Sequence, residues 1–382
     1  MTNKILFFAN VRIPTEKAHG MQIMEMCQSF AHHGADLELL VPSRKNEGVE
    51  NKDPFVYYRV AKNFKIKTLA IFDPVFLLKF PKGTYIKIEG LLFVIKIFFY
   101  CLFLKNKKEA VIYTRDEYLL PVLQLFFSKV YWEAHNIPQN KNYYKKYWQR
   151  CAGLVTINHK LKEDLISIGI KEDKILVAHD GVNLDKFCHV QENKQQARQK
   201  LDLPLDKKIA LYSGHLYSWK GAQVLAEAAK LLPPDVLVVF IGGTDKDIAS
   251  FQEKNKQQAN VLVVGRKPHY QVPLYLRAAD VLVLPNSSRE EISRLYTSPL
   301  KLFEYMAAGR PIVASDLPSI REILQEKNCI FFLPDQADSL ATGIQRALLN
   351  DDLSVRISKV ALAEVSGYSW LNRAKNILEF MH

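Results

Sequence analysis

Short apolar runs recur along the chain, separated by longer stretches in which apolar residues return at helical spacing. The first group is KILFFAN, DLELLVP, AVIYTR, KVYWEAH and GLVTIN; the second is IALYSG, VLVVFIGG, VLVVG, DVLVLPN, PIVASD and CIFFLP. Most lack the polar alternation of a half-exposed sheet. Strands buried on both faces and joined through helices form parallel sheets. The series breaks in GVNLDKFCHVQENKQQARQKLDLP, residues 181–204, a polar stretch with no strand pattern. The pattern therefore predicts an α/β chain of two doubly wound parallel-sheet domains, about 1–185 and 186–365. Sheets of this kind take ligands at the carboxyl ends of their strands, and with two of them a cleft between domains is the expected site.

One apolar segment stands apart. GLLFVIKIFFYCLFLKNKK, residues 90–108, is broken by Lys96 and falls short of the ~20 residues that a spanning helix needs. It fits either a buried core helix or a helix lying on an anionic membrane face. Charge bears on the choice. The formal net charge is +12, and residues 1–150 hold 23 Lys+Arg against 13 Asp+Glu, whereas residues 151–382 hold 29 against 27. The basic half is thus the one with the apolar segment. Nucleic acid would also explain the charge, but there is no zinc-finger spacing, no aromatic RNA-binding motif and no Arg-rich tract.

A chain of 382 residues, 48% hydrophobic and 24% charged, can bury two cores and is neither disordered nor fibrous. Its five cysteines stand singly, without a C-x-x-C pair, which points to a reducing compartment and away from a disulfide framework or zinc site. The opening MTNKILFFAN lacks the long apolar core of a signal peptide. The expected location is cytoplasmic, with the inner membrane face as the peripheral alternative.

Candidate chemistry gathers at strand ends. In TSPLKLFEYMAAGRPIVASD, residues 297–316, Pro299 can start a helix, Leu300, Phe303, Tyr305 and Met306 can bury it, and Gly309 can stop it. Glu304 then lies on a buried helix beside a sheet, where an ionised carboxylate needs a partner. That partner is either Lys301, three residues earlier, or a ligand. LYSGHLYSWKG, residues 211–221, is a strand ending at Gly214, then a loop in which Lys220 and Gly221 open a helix. Such a lysine can bind phosphate, though an ordinary turn with a surface lysine looks the same. The DKD at 245–247 resembles a metal-binding Asp-x-Asp, but it opens a helix, where acidic residues are favoured by the dipole alone.

Taken in order, G-x-L…K-G, ADVLVLP and KLFEYMAAG-x-PIVASD resemble the C-terminal domain of the family 4 glycosyltransferases, retaining enzymes of the GT-B fold that use nucleotide sugars. NVRIPTEKAHGMQIMEMCQSFAHHGADLELLVP resembles the family's loop and first helix, EAHNIP its His-bearing acceptor loop and AHDGVNLDKF its interdomain turn. YSWLNRAKNILEF is similar to its C-terminal helix. The resemblance implies two doubly wound domains facing a central cleft: 1–185 binding the acceptor, 186–365 binding the nucleotide sugar, and 366–382 crossing back to the first. The implied activity is transfer of a sugar, hexosyltransferase in type, from a nucleotide-sugar donor to a glycan or lipid-linked acceptor in cell-surface polysaccharide or glycolipid synthesis. A nucleotide-sugar epimerase of the same fold and a non-catalytic membrane-docking protein are the alternatives. The nucleotide sugar would be a substrate; no cofactor and no metal are expected.

The resemblance also assigns residues. Glu304 matches the second Glu of a Glu, seven residues, Glu motif that holds the ribose hydroxyls, a task suited to an acceptor of charge-assisted hydrogen bonds. The first Glu would fall at Tyr296, so Glu290 or Glu291 would have to substitute. Ser298 and Leu300, inside the motif, join the donor contacts. Lys220 would neutralise the leaving diphosphate at the Gly214 turn, with His215 where the family usually has Arg. Gly20 would let its loop approach the phosphates, His135 would reach the sugar, and Arg266 and Lys267 would lie near the base.

Overall fold

The apolar runs become the strands of two all-parallel sheets in the computed structural model, which describes residues 4–44, 46, 49, 51–74, 83–105 and 107–382. The first comprises β1 (Lys4–Phe8), β2 (Asp36–Pro42), β3 (Lys65–Leu69), β4 (Ala110–Thr114), β5 (Val130–Ala134), β6 (Gly153–Thr156) and β7 (Ile175–Val177). Its strand order is β3-β2-β1-β4-β5-β6-β7. The second comprises β8 (Lys208–Ser213), β9 (Val236–Ile241), β10 (Val261–Gly265), β11 (Val281–Leu284), β12 (Ile312–Ser315) and β13 (Ile330–Phe332), in the order β10-β9-β8-β11-β12-β13. The order reverses between β1 and β4 and again between β8 and β11. Loops diverge at such points and leave a crevice at the strands' carboxyl ends.

Helices cover both faces of each sheet, as the unbroken apolar runs require. Along β8, Ile209 and Leu211 enter one core cluster while Ala210 and Tyr212 enter another, the two-residue alternation of a strand buried on both sides. Two edge strands escaped the sequence pattern. β3, KIKTL, is mostly exposed and carries two lysines, and β7 has only three residues. Edge strands pair on one side only and need little apolar surface.

The chain divides into residues Met1–His179 with Trp370–His382, and Asp180–Ser369. This differs from the boundaries at 185 and 365. Val182 donates its N–H to the Tyr368 carbonyl (2.9 Å) and bridges to Ser369, which holds both chain crossings in the second unit. The helix Trp370–Met381 packs with the first unit, where the Tyr131 hydroxyl donates to the Met381 carbonyl (3.1 Å).

The apolar segment forms the helix Thr84–Phe103. It buries Glu89, Phe93, Ile97 and Cys101, one residue per turn, and exposes Ile88, Leu91, Ile95, Phe99 and Leu102 on the rest of its surface. A core helix would be covered all round, so that expectation is corrected. Among the described residues no helix is long and apolar enough to cross a membrane. The five cysteines are free thiols, four of them buried.

Candidate active site

In the second unit the carboxyl end of β8 leads into Gly214, at φ +132°. Gly242, after β9, sits so close that a Cβ there would come within 2.5 Å of the Gly214 carbonyl oxygen. The loop then makes a short turn, Ser218–Lys220, and Gly221 (φ +73°) opens the helix Ala222–Ala229. A Cβ on Gly221 would lie 1.6 Å from the Pro285 carbonyl oxygen, so this residue is glycine for steric reasons alone. Lys220 lies with its ammonium 3.8 Å from the Trp219 ring centroid. Burial brings its pKa down to about 8. The His215 ring stacks on Tyr217 (centroids 4.9 Å apart), and its carbonyl accepts the Tyr212 hydroxyl (2.6 Å).

The helix Leu300–Ala307 follows Pro299 and ends at Gly309 (φ +62°). Leu302, Phe303, Tyr305 and Met306 are wholly buried, and the Tyr305 hydroxyl accepts the Ser213 N–H (2.8 Å), tying the helix to the end of β8. Lys301, Glu304 and Tyr305 share a face at three- and four-residue spacing. The expected Lys301–Glu304 salt bridge is corrected. Glu304 instead pairs with His269, Oε1 to Nε2 at 2.7 Å. His269 opens the turn after β10, with Pro268 between it and Lys267. Arg266 is exposed and Lys267 half-buried in the segment that leads into this turn.

Tyr296 ends a π-helical turn, Ile292–Tyr296, and is half-buried. The Ser298 hydroxyl accepts the Asp180 N–H (3.3 Å), and Leu300 begins the helix, half-buried. Of the substitutes for the absent first Glu, Glu290 accepts a hydrogen bond from the Ser218 hydroxyl (3.2 Å), two residues from Lys220; Glu291 is exposed. Asp247 of the DKD sequence is used locally, in a capping box with Thr244.

In the first unit Gly20 lies in the helix Ala18–His32, and a Cβ there would meet the Tyr58 hydroxyl at 2.3 Å and Thr15 Cγ2 at 2.5 Å. Local packing is enough to demand glycine. His135, just beyond β5, bonds through Nε2 to Glu133 Oε1 (2.6 Å). Glu133 is only 1% exposed, also receives Gln22 Nε2 (2.8 Å) and the Tyr113 hydroxyl, and forms an ion pair with Arg373 Nη2 (3.0 Å). Burial works to raise the Glu133 pKa, but Arg373, His135 and Arg115 outweigh it and hold the carboxyl well below the usual range. His19, beside Gly20, is pushed down to about 4 by burial and by Arg115. Sequence reasoning missed Glu133, Gln22, Arg115, Arg373 and His269. Glu133, Gln22 and Arg373 stand inside segments quoted for the resemblance, but no spacing there couples them to one another, and only the fold brings them together.

These two sheets define a GT-B fold. Over 98% of its length the chain is similar to Anabaena HepE solved with UDP and glucose (TM-score 0.75, 16% identity, 98% of that chain covered). The sucrose-phosphate synthase of Thermosynechococcus elongatus is similar over 98% of both chains (TM-score 0.77, 18% identity). Residues 193–363 match the family described as Glycosyl transferases group 1. Among curated proteins, the putative teichuronic acid biosynthesis glycosyltransferase TuaC of Bacillus subtilis is 29% identical over 206 residues, covering 53% of this chain and 49% of that protein. The chain spans about half the length of that relative. Such matches favour a transferase over the epimerase and docking-protein alternatives.

Proposed function

We propose that this protein is a retaining glycosyltransferase that moves a sugar from a nucleotide-sugar donor to a glycan or lipid-linked acceptor in cell-surface polysaccharide or glycolipid synthesis. The carrying observation is the concentration of Gly214, Lys220 and Glu304 at the strand ends of the family-matched unit. Glu304 would take the ribose hydroxyls in place of its bond to His269, and Lys220 the diphosphate. In the reaction the acceptor hydroxyl oxygen bonds to the anomeric carbon as that carbon's bond to the diphosphate oxygen breaks, and the hydroxyl proton passes to the departing diphosphate. Negative charge grows on that oxygen, where a nearby cation lowers the barrier. His135, held by Glu133, would orient the sugar on the first unit. The reading calls on no metal and no cofactor.

The acceptor side points to a membrane surface. Exposed Leu91, Ile95, Phe99 and Leu102 form a stripe on the helix Thr84–Phe103, and Lys105, Lys107 and Lys108 follow its end. An apolar stripe edged with lysine suits the boundary of an anionic bilayer.

A thermal-shift panel of nucleoside diphosphates and nucleotide sugars tests the donor, because a ligand that binds only the folded state raises its stability by mass action. UDP and UDP-glucose head the panel, since HepE binds them. A stabilising donor should then yield free nucleoside diphosphate in proportion to glycosylated acceptor. Release without acceptor would indicate the epimerase, and no stabilisation by any member would refute the proposal.

A further inference from the structure

Lys301 is the outlier among the buried charges of the second unit. It is only 7% exposed, yet among the described residues its ammonium has no hydrogen-bond partner and no carboxylate within salt-bridge distance, since Glu304 is engaged with His269. Nζ sits 3.8 Å from the Tyr212 ring centroid, and a Cβ built on Gly214 would point at it from 3.5 Å. The ammonium thus lies directly under the Gly214 turn. On the adjacent strand end, Asn286 is 0% exposed with neither amide atom bonded. A buried, unpartnered cation is costly, and native proteins seldom keep one without a use. The bland explanation is a cation–π contact with Tyr212, but that leaves all three N–H donors unsatisfied.

The electrostatics point to an anion. Burial, then Lys220, lowers the Lys301 pKa well below the ordinary lysine value, and Glu304 opposes them only in part. Two lysines close enough to repel, at a glycine turn, suit a dianion. We infer that Lys301 is a second cation of the diphosphate subsite, binding the leaving nucleoside diphosphate beneath the Gly214 turn and making up for His215. This rests on the proposed function. It adds that the subsite draws its second charge from the helix carrying Glu304 rather than from the β8 loop.

The experiment uses the full-length protein, with UDP and UMP as probes in calorimetry. Lys301→Met should cut UDP affinity by at least about tenfold, the scale of one hydrogen bond to a charged group. UMP affinity should fall less, and the unliganded melting temperature should hold or rise, because an unpaired buried charge is removed. Lys301→Arg should restore part of the UDP affinity. A measurement on the unaltered protein stands independently of whether the variants fold. Toward alkaline pH the logarithm of the UDP dissociation constant should climb with a limiting slope above one, as two lysines, Lys220 and Lys301, take up protons on binding. A slope of one or less throughout overturns the inference, as does Lys301→Met binding UDP like the parent. In both cases the glycosyltransferase reading survives. If the unaltered protein binds no nucleoside diphosphate, that reading falls first.

Discussion

Glu304→Gln separates a ligand-binding carboxylate from a structural one. In the free protein Glu304 is 12% exposed at its side chain and bonded to His269, whose side chain is 39% exposed. A pair with one partner this open to water is screened and contributes at most about 1 kcal/mol to folding. A carboxylate receiving both hydroxyls of a ribose makes two charge-assisted bonds. Gln keeps one acceptor and offers an amide N–H₂ where the second hydroxyl must donate. The loss is about 1.5–3 kcal/mol, or about 10- to 150-fold in affinity. Binding should therefore suffer more than stability. Calorimetry with a nucleoside diphosphate and its 2′,3′-dideoxy analogue isolates the contact: the variant should lose affinity for the first and almost none for the second. Equal losses for both ligands, or a fall in melting temperature with affinity intact, would refute the assignment.

Lys220→Ala should lower kcat by about 10²- to 10³-fold, the usual result of removing one group that stabilises developing charge, and an unchanged rate in a folded variant would exclude it. Because burial sets the Lys220 pKa at about 8, and the proposed role needs its cationic form, kcat/KM should fall as pH rises through about 8, and Lys220→Arg should make that descent shallower. Arg373→Met leaves the Glu133 charge buried without its paired guanidinium, so denaturant unfolding should show a loss of about 3–5 kcal/mol; adding Glu133→Gln should recover part of it, and additive losses would contradict the pairing. Anionic liposomes should sediment the protein at low salt and release it as salt rises, with Lys105, Lys107 and Lys108→Gln weakening the attachment but not nucleotide affinity; indifference to liposomes at low salt would leave the exposed stripe unexplained.

Most of the fold was legible because a parallel sheet covered on both faces forces its strands to be continuously apolar. VLVVG is β10 and DLELLVP is β2, residue for residue. The omissions are edge strands: in KIKTL solvent satisfies the polar side chains, whereas β7, ILV, is apolar but only three residues long. The domain boundary was misplaced by a few residues because residues 181–204 are polar throughout. What assigns Val182 to the second unit is its backbone bond to Tyr368, which leaves no trace in side-chain pattern.

The site divides along a similar line. Gly214, Lys220 and Glu304 could be proposed from the sequence because each belongs to a contiguous segment whose spacing is itself a constraint, a strand, a turn and a helix start. Their partners could not. His269 meets Glu304 across 35 positions, and Arg373 reaches Glu133 from the far end of the chain, so neither contact has a local spacing to betray it. Lys301 shows the reverse failure. Its spacing to Glu304 is right for a helical salt bridge, and the sequence offered that as the ordinary explanation. Yet the helix uses the carboxylate elsewhere and leaves the ammonium buried and unpartnered. Three-residue spacing places two side chains on one face, but it does not decide which charge each will answer. That is set by what the neighbouring strand ends present, here His269 after β10 and the Gly214 turn after β8.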